Sequence, residues 1–210
     1  STKRDYLGRV NDPIYPKAKA AELAKKFDFD YWDGDRRICY GGYSYIPGRW
    51  EKLARVLTAH YQLSPEATIL DIGCGKGYLL YDFLKVLPYS KVFGLDKSKY
   101  AIANSKEEIK KNITLGCATN LPWPDNHFDL VISINTLHNL HAFDLEKGLS
   151  EMERVGKNKY LCVESYRNEE EKTNLLYWQV TCEAFYNPKE WKWWFKKTNY
   201  NGDYSFIYFE

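Results

Sequence analysis

The sequence lacks any apolar run long enough to cross a membrane, and its first residues contain no apolar core of a secretion signal. It also lacks a Cys-x-x-Cys pair, because its 5 cysteines are scattered over 210 residues. Scattered cysteines disfavour a disulfide-rich secreted domain, and they form no metal-like cluster with the 4 histidines. We therefore expect a cytoplasmic protein with no membrane span and no bound metal.

The chain also lacks an excess of charge of one sign, since 30 Lys and Arg oppose 28 Asp and Glu. A balance so near neutrality creates no strong field toward nucleic acid or an anionic membrane. A chain of 210 residues is long enough for one domain with a substantial core. Aromatic residues are abundant, and they concentrate in residues 31–50 and 177–209. We expect these flanks to form a substrate lid on that domain.

The most informative segment runs from a short apolar strand, Thr68–Ile72, through a glycine turn into a helix that begins at Tyr78. Gly73, Gly75 and Gly77 let the backbone reverse sharply and approach a ligand where a Cβ would intrude. The spacing differs from a dinucleotide fingerprint, whose third glycine would fall at Tyr78, and from a phosphate-binding P-loop. A turn that only packs a helix on a strand is the alternative interpretation.

Further short strands alternate with helices, which predicts an α/β fold with a doubly wound, mostly parallel sheet and helices on both faces. The predicted strands are 91–96, 113–115, 129–134, 159–164 and 204–209. The predicted helices are 16–27, 50–61, 78–87, 98–110, 144–154, 168–182 and 188–197. We expect residues 1–60 to form a helical and aromatic arm that acts as a lid. Residues 61–210 would form the core, with an inserted helix near 168–187.

The pattern Asp-x-Gly-x-Gly-x-Gly, from Asp71 to Gly77, resembles the first motif of class I S-adenosylmethionine-dependent methyltransferases. The resemblance extends over residues 68–164. It implies a Rossmann-like methyltransferase sheet that ends in an antiparallel hairpin, of which residues 204–209 supply one strand. It also implies S-adenosylmethionine as cofactor and S-adenosylhomocysteine as product. The implied cofactor-binding residues are Asp71, Gly73, Gly75, Asp96, Lys97, Cys117, Ala118, Thr119, Asn135 and Tyr40.

Asp96 follows the glycine turn by about 20 residues, the distance at which a carboxylate accepts hydrogen bonds from both hydroxyls of a ribose. One position departs from the family pattern, which often has Gly-Asp-Ala where this chain has Gly116-Cys117-Ala118. A thiol is a weak hydrogen-bonding group. Adenine recognition would therefore depend on the backbone of Ala118 and on apolar contacts, at a cost of about 1 kcal/mol.

His138 is the leading candidate for a general base, because it follows the fourth strand, where the family places residues of the methyl-transfer site. An imidazole titrates near neutral pH, which suits proton uptake. A residue that satisfies backbone groups at a helix start is an equally good interpretation of His138. Glu164, at the end of the fifth strand, and Tyr43, in the arm, complete the predicted catalytic set. Core packing is the alternative for Tyr43.

The predicted function is methyl transfer to an oxygen or nitrogen atom of a small polar metabolite, with anionic metabolites included, or of a sugar or phosphate building block. Arginine side chains suit such an anion, and the candidates are Arg36, Arg37, Arg49 and Arg167. A non-catalytic protein that binds S-adenosylmethionine and regulates a partner is one alternative. A nucleic-acid or protein methyltransferase is another, although no Asn-Pro-Pro-Tyr-like motif is present. We expect a monomer or a homodimer.

Overall fold

The computed structural model describes residues 4–210, and their strands form one sheet. The strands are β1 (Thr68–Ile72), β2 (Lys91–Asp96), β3 (Ile113–Leu115), β4 (Phe128–Ile134), β5 (Gly156–Glu164) and β6 (Asp203–Ile207). Their order is β3-β2-β1-β4-β5-β6, and every neighbouring pair is parallel. The order reverses direction between β1 and β4, which creates a crevice outside the carboxyl ends of these strands.

Ten α-helices and one 3₁₀ turn accompany the described strands. The helices are α1 (Tyr6–Val10), α2 (Lys17–Ala24), α3 (Phe29–Trp32), α4 (Glu51–His60), α5 (Tyr78–Val86), α6 (Lys99–Ala103), α7 (Glu107–Lys110), α8 (Ala142–Val155), α9 (Glu169–Trp178) and α10 (Pro188–Lys197). The 3₁₀ turn spans Leu137–Asn139. No described helix combines the length and the apolar character that crossing a membrane requires.

Both faces of the sheet are covered, because the central strands carry apolar residues on each side. In β4, Val131 packs with α8 and α10, whereas its neighbours Leu130 and Ile132 pack with α4 and α5. All three side chains are fully buried. Alternate residues of a strand point to opposite faces, so this continuous apolar run is what a central parallel strand requires. The predicted doubly wound α/β fold is confirmed.

The arm packs onto the core through its own apolar cluster. Tyr31 and Trp32 of α3 are buried together with Ile38, and they contact Ala101 of α6 and Val180 after α9. The arm therefore contacts segments far apart in the sequence. Whether it moves as a lid stays a prediction.

Three predicted elements differ in the structure. The helix predicted over 98–110 is divided into α6 and α7, because the intervening Lys106 donates its backbone N–H to the carbonyl of Lys76. The inserted helix ends at Trp178, since the backbone N–H groups of Glu183 and Ala184 turn away to donate to the carbonyl of His138. The expected antiparallel hairpin is wrong for the described residues, where β6 pairs directly and in parallel with β5.

Candidate active site

A pocket lies at the carboxyl ends of β1, β2 and β4, where the sheet order reverses. The arm closes its outer side with the rings of Phe27, Tyr31, Trp32, Tyr40, Tyr43 and Trp50. All the predicted cofactor-binding residues except Thr119 line it, namely Asp71, Gly73, Gly75, Asp96, Lys97, Cys117, Ala118, Asn135 and Tyr40. Residues predicted from separate motifs are thus brought to one site.

The glycine turn leaves no room for side chains. Gly73 has a φ of +78°, and a Cβ there would lie 2.1 Å from Oγ1 of Thr136. Gly75 has a φ of +55°, and a Cβ there would lie 2.7 Å from the Trp32 ring. Both positions therefore require glycine, for the backbone conformation and for the close approach of neighbouring atoms.

Asp96 forms hydrogen bonds both with the glycine turn and with Ser98, the residue that caps α6. Its Oδ2 accepts from the backbone N–H of Gly75 at 2.7 Å, and its Oδ1 accepts from the backbone N–H of Ser98 at 2.8 Å. Burial raises the pKa of this carboxyl, and the backbone hydrogen bonds oppose that rise. An ionised carboxylate has about four acceptor positions, so Asp96 retains capacity toward a ligand in the pocket.

Asp71 has a different environment, although its side chain also lines the pocket. Burial first, and then the negative charge of Asp96, raise the pKa of Asp71 to about 7. Within the described residues, no hydrogen bond to its carboxylate opposes this shift. A positively charged ligand group beside Asp71 would restore the ionised form.

Aromatic side chains of the arm stack directly over the turn. The Trp32 and Tyr40 rings are stacked with centroids 5.5 Å apart, and the indole N–H of Trp32 donates to Oγ of Ser98 at 3.0 Å. Tyr43 stacks on Tyr78 of α5 with centroids 5.2 Å apart. These contacts form an aromatic wall on the outer side of the pocket.

Lys76 lies in the glycine turn beside the pocket and makes an ion pair that the sequence interpretation missed. Its ammonium group donates to both carboxylate oxygens of Asp33, at 2.8 and 2.7 Å, and to the carbonyl of Tyr43 at 2.8 Å. Burial raises the pKa of Asp33, but hydrogen bonds from Lys76 and Tyr100 outweigh it, so the pKa is lowered overall. The sequence showed a lysine inside the glycine turn, but it did not show that the partner of this lysine is Asp33, which lies 43 residues away in the chain.

His138 and Glu164 do not belong to the lining of the pocket. Nδ1 of His138 accepts from the backbone N–H of Glu164 at 3.3 Å, and Nε2 lies 3.5 Å from Oε2 of Glu164. Burial lowers the pKa of His138 to about 3. The prediction that His138 titrates near neutral pH is therefore wrong. Burial raises the pKa of Glu164 to about 8, and its Oε1 accepts from the side-chain amide of Gln179.

The turn after β4 places two amide side chains at the pocket. Asn135 has a φ of +56°, an uncommon conformation for a residue other than glycine. The Oδ1 atoms of Asn135 and Asn139 are buried without a hydrogen-bond partner among residues 4–210. Both residues line the pocket, so these oxygens are available to accept hydrogen bonds from a bound molecule. Asn139 was not predicted.

The predicted arginines separate into two groups. Arg49 lines the pocket, and Arg36 and Arg37 lie in a cleft beside it. Arg167 lies elsewhere, in ion pairs with Glu171 and Glu210. Residues 4–210 contain no group of three or more His, Cys, Asp or Glu side chains placed to hold a metal ion.

Comparison with known families decides between the interpretations of the glycine turn. A family model described as "Methyltransferase domain" matches residues 63–199. The chain belongs to this methyltransferase family. The match confirms the predicted family of methyltransferase enzymes, whose cofactor is S-adenosylmethionine and whose product is S-adenosylhomocysteine. The pocket fits this cofactor, because Asp71 has no positively charged partner among residues 4–210 and the buried Oδ1 atom of Asn135 has no hydrogen-bond partner there.

The chain is similar to methyltransferases whose names contain different methyl acceptors. Demethylmenaquinone methyltransferase of Symbiobacterium thermophilum is 34% identical over 128 residues, which cover 56% of this chain and 50% of the relative. The ribosomal RNA small subunit methyltransferase C of Pseudomonas entomophila is 32% identical over 113 residues, covering 53% of this chain and 34% of the relative. This chain thus spans half the length of the first relative and about a third of the second. The name of the first relative contains demethylmenaquinone, and that of the second contains ribosomal RNA.

Solved structures show the same fold. The YcgJ protein of Bacillus subtilis matches with a TM-score of 0.56 and 21% identity, covering 69% of this chain and 66% of that one. A methyltransferase of Bacillus halodurans matches with a TM-score of 0.57 and 18% identity, covering 69% of this chain and 67% of that one. Both support the Rossmann-like methyltransferase sheet.

Proposed function

We propose that this chain transfers a methyl group from S-adenosylmethionine to an oxygen or nitrogen atom of a small polar metabolite or a sugar or phosphate building block. The observation that supports this most is the pocket at the strand ends, which the aromatic arm encloses. An enclosed pocket favours a small acceptor over a nucleic-acid duplex or a folded protein, which are the alternatives. A nucleic-acid partner therefore has little support.

The cofactor supplies a methyl group already activated on a sulfonium. We propose that Asp96 accepts hydrogen bonds from its ribose and that Asp71, Gly73 and Gly75 surround its methionine part. The adenine would lie against Cys117 and the backbone of Ala118, two residues that line the pocket. The remaining proposed contacts are Lys97, Asn135 and Tyr40, which line the pocket. The predicted contact of Thr119 is not supported, because Thr119 does not line the pocket and its hydroxyl donates to Sγ of Cys117 at 3.1 Å.

The task of the protein side chains is to hold the acceptor in line with the methyl group, since positioning alone lowers a barrier by several kcal/mol. We propose that Tyr43 orients the acceptor, because it lines the pocket and its hydroxyl can donate a hydrogen bond there. Asn139 is proposed to accept a hydrogen bond from the same molecule through its unpartnered Oδ1.

His138 and Glu164 are proposed as positioning residues. The neutral His138 ring accepts from the backbone of Glu164, and it lies in the 3₁₀ turn that follows Asn135. This contact would hold the turn, and thereby Asn139, at the pocket. A buried, neutral imidazole does not serve well as a base near neutral pH, so proton uptake by His138 receives little support.

A screen of acceptors for release of S-adenosylhomocysteine tests the proposal. The expected result is turnover with one class of small polar compound and none with oligonucleotides or protein. Tight cofactor binding without turnover on any class would favour a non-catalytic S-adenosylmethionine-binding protein instead. Cytoplasmic location, supported by the scattered cysteines, and a monomeric or homodimeric state belong to the same proposal.

A further inference from the structure

A second cleft lies directly beside the cofactor pocket and is rich in arginine. Its volume is about 1190 Å³. Its lining includes Arg4, Arg9, Arg36, Arg37 and Arg49, against only two carboxylates, Asp5 and Asp12. The chain as a whole has a net charge of only +2. The positive charge is therefore concentrated locally at this cleft.

We propose that this cleft binds a phosphoryl group of the methyl acceptor. The proposal rests on the proposed function and specifies its substrate class. Guanidinium groups are suited to this role because their planar N–H donors match phosphate oxygens and remain charged at all physiological pH values.

Most of these arginines have no acidic partner. Arg37 pairs with Asp35 at 2.6 Å and lies 4.0 Å from Asp12. In residues 4–210, no carboxylate lies within ion-pair distance of the other four arginines of the cleft, namely Arg4, Arg9, Arg36 and Arg49. Their charges are uncompensated, so an anion entering the cleft displaces no internal ion pair.

The two carboxylates in the lining are already committed to local turns. An Asp5 oxygen accepts from the backbone N–H of Gly8 at 2.9 Å. Asp12 accepts from the backbone N–H groups of Ile14 and Tyr15, at 2.9 and 2.7 Å. These hydrogen bonds stabilise the ionised form of Asp12 and lower its pKa. The acidic groups thus stabilise the local turns, and within residues 4–210 only Asp12 comes within ion-pair distance of a cleft arginine, 4.0 Å from Arg37.

Two of the arginines are held in place by the backbone. Arg9 donates to the carbonyls of Arg37, Ile38 and Trp178. Arg36 donates to the carbonyl of Cys39. A guanidinium has five N–H donors, so each keeps donors free for a ligand. Burial lowers the pKa of Arg9, and the nearby charge of Arg36 adds to that effect. A bound anion would relieve this repulsion.

The cleft is continuous with the cofactor pocket, because Tyr40, Tyr43 and Arg49 line both. An acceptor anchored in the cleft by its phosphoryl group therefore has its other end beside Tyr43. This continuity distinguishes the cleft from a basic surface patch. The two aspartates on its wall also make it a poor track for an extended nucleic-acid backbone, which presents one phosphate after another.

The test is calorimetric titration of the full chain with inorganic phosphate, without cofactor and at low ionic strength. We expect saturable binding of one phosphate, weakened at least tenfold by Arg36→Ala. The matched control is Arg55→Ala, which removes the same charge from an exposed residue paired with Glu51 on α4. The control should bind phosphate as the wild type does. If Arg36→Ala lowers the thermal midpoint, Arg4→Ala carries the same comparison.

Several outcomes would overturn the proposal. They are no saturable phosphate binding, an equal loss in the Arg36 and Arg55 variants, or tighter binding of malonate than of phosphate. Tighter, Arg36-dependent binding of a single-stranded oligonucleotide would instead indicate a nucleic-acid substrate. Titration with S-adenosylhomocysteine separates the two proposals, because phosphate binding without cofactor binding would contradict the methyltransferase function while leaving the phosphate site intact.

Discussion

Lys76, inside the glycine turn, donates to both carboxylate oxygens of Asp33, in the arm. Their side chains are 6% and 24% exposed. The pair joins the glycine turn, which belongs to the family motif, to the arm, in which no sequence motif was recognised. It therefore makes the position of the arm and the conformation of the turn depend on each other.

Replacing Lys76 with methionine should destabilise the fold by about 1–3 kcal/mol, because it leaves the Asp33 carboxylate without its cation. The loss should be smaller than for a fully buried pair, since water reaches Asp33. Urea denaturation measures the effect. The control is Lys110→Met, which breaks an exposed pair with Glu107 and should cost little. Equal losses in the two variants would refute a special role of the Lys76 pair.

Asp96→Ala should weaken the binding of S-adenosylhomocysteine at least tenfold, because charge-assisted hydrogen bonds to a ribose are each stronger than neutral ones. Isothermal titration calorimetry gives the dissociation constant. Asp129→Ala is the control, as Asp129 accepts from Thr68 at the amino end of the sheet, away from the pocket. Unchanged affinity in the Asp96 variant would remove its assignment to the ribose.

Cofactor affinity should rise with pH around the pKa of Asp71, which burial raises to about 7. Below that pH the carboxyl is protonated and cannot pair with a ligand ammonium group; above it the charge is present. Affinity for S-adenosylhomocysteine should increase about tenfold from pH 6 to pH 8. Asp71→Asn should abolish this dependence, and a persistent slope would point to a different titrating group.

Cys117→Asp should preserve or improve cofactor affinity, since a carboxylate at this pocket-lining position could accept from the adenine amino group. Cys117→Ser provides a variant of similar size without charge. Calorimetry with S-adenosylhomocysteine compares the three proteins. A tenfold loss in the aspartate variant would mean that Cys117 does not lie beside the adenine.

The burial of His138 should make the protein sensitive to acid. Its pKa is about 3 in the fold, below the ordinary 6.5, so protonation favours unfolding. The contribution to stability is fully present above pH 6.5 and declines as the pH falls toward 3. Between pH 6.5 and pH 5 the loss should approach 2 kcal/mol. His138→Gln should lack this part of the acid destabilisation in urea titrations.

His141→Gln is the control for this experiment, because His141 is 66% exposed. It should follow the wild-type pH dependence. If the His138 and His141 variants lose stability in parallel between pH 7 and pH 5, the imidazole of His138 is not the group responsible. Once an acceptor is known, His138→Ala should lower turnover but not cofactor affinity. Full activity of the His138→Ala variant would show that His138 has no positioning role.

The strand bounds followed closely from local sequence, because β1, β2 and β3 begin and end at the predicted residues, although β5 begins earlier than predicted, at Gly156. A buried strand between helices needs consecutive apolar residues, and that requirement is visible in any window of the chain. Helix interruptions were less visible. The division between α6 and α7 depends on a hydrogen bond from Lys106 to Lys76, which no local pattern specifies.

The sequence by itself determined the mostly parallel sheet, the glycine turn and, through them, the family and the edge of the sheet at which the pocket lies. These features depend on residues adjacent in the chain, where periodicity and backbone geometry act. Only the tertiary structure decided that Lys76 pairs with Asp33, that His138 is buried and neutral, and that arginines of the arm gather beside the pocket. Charge pairing and desolvation depend on which distant segments meet, and the chain order does not specify that.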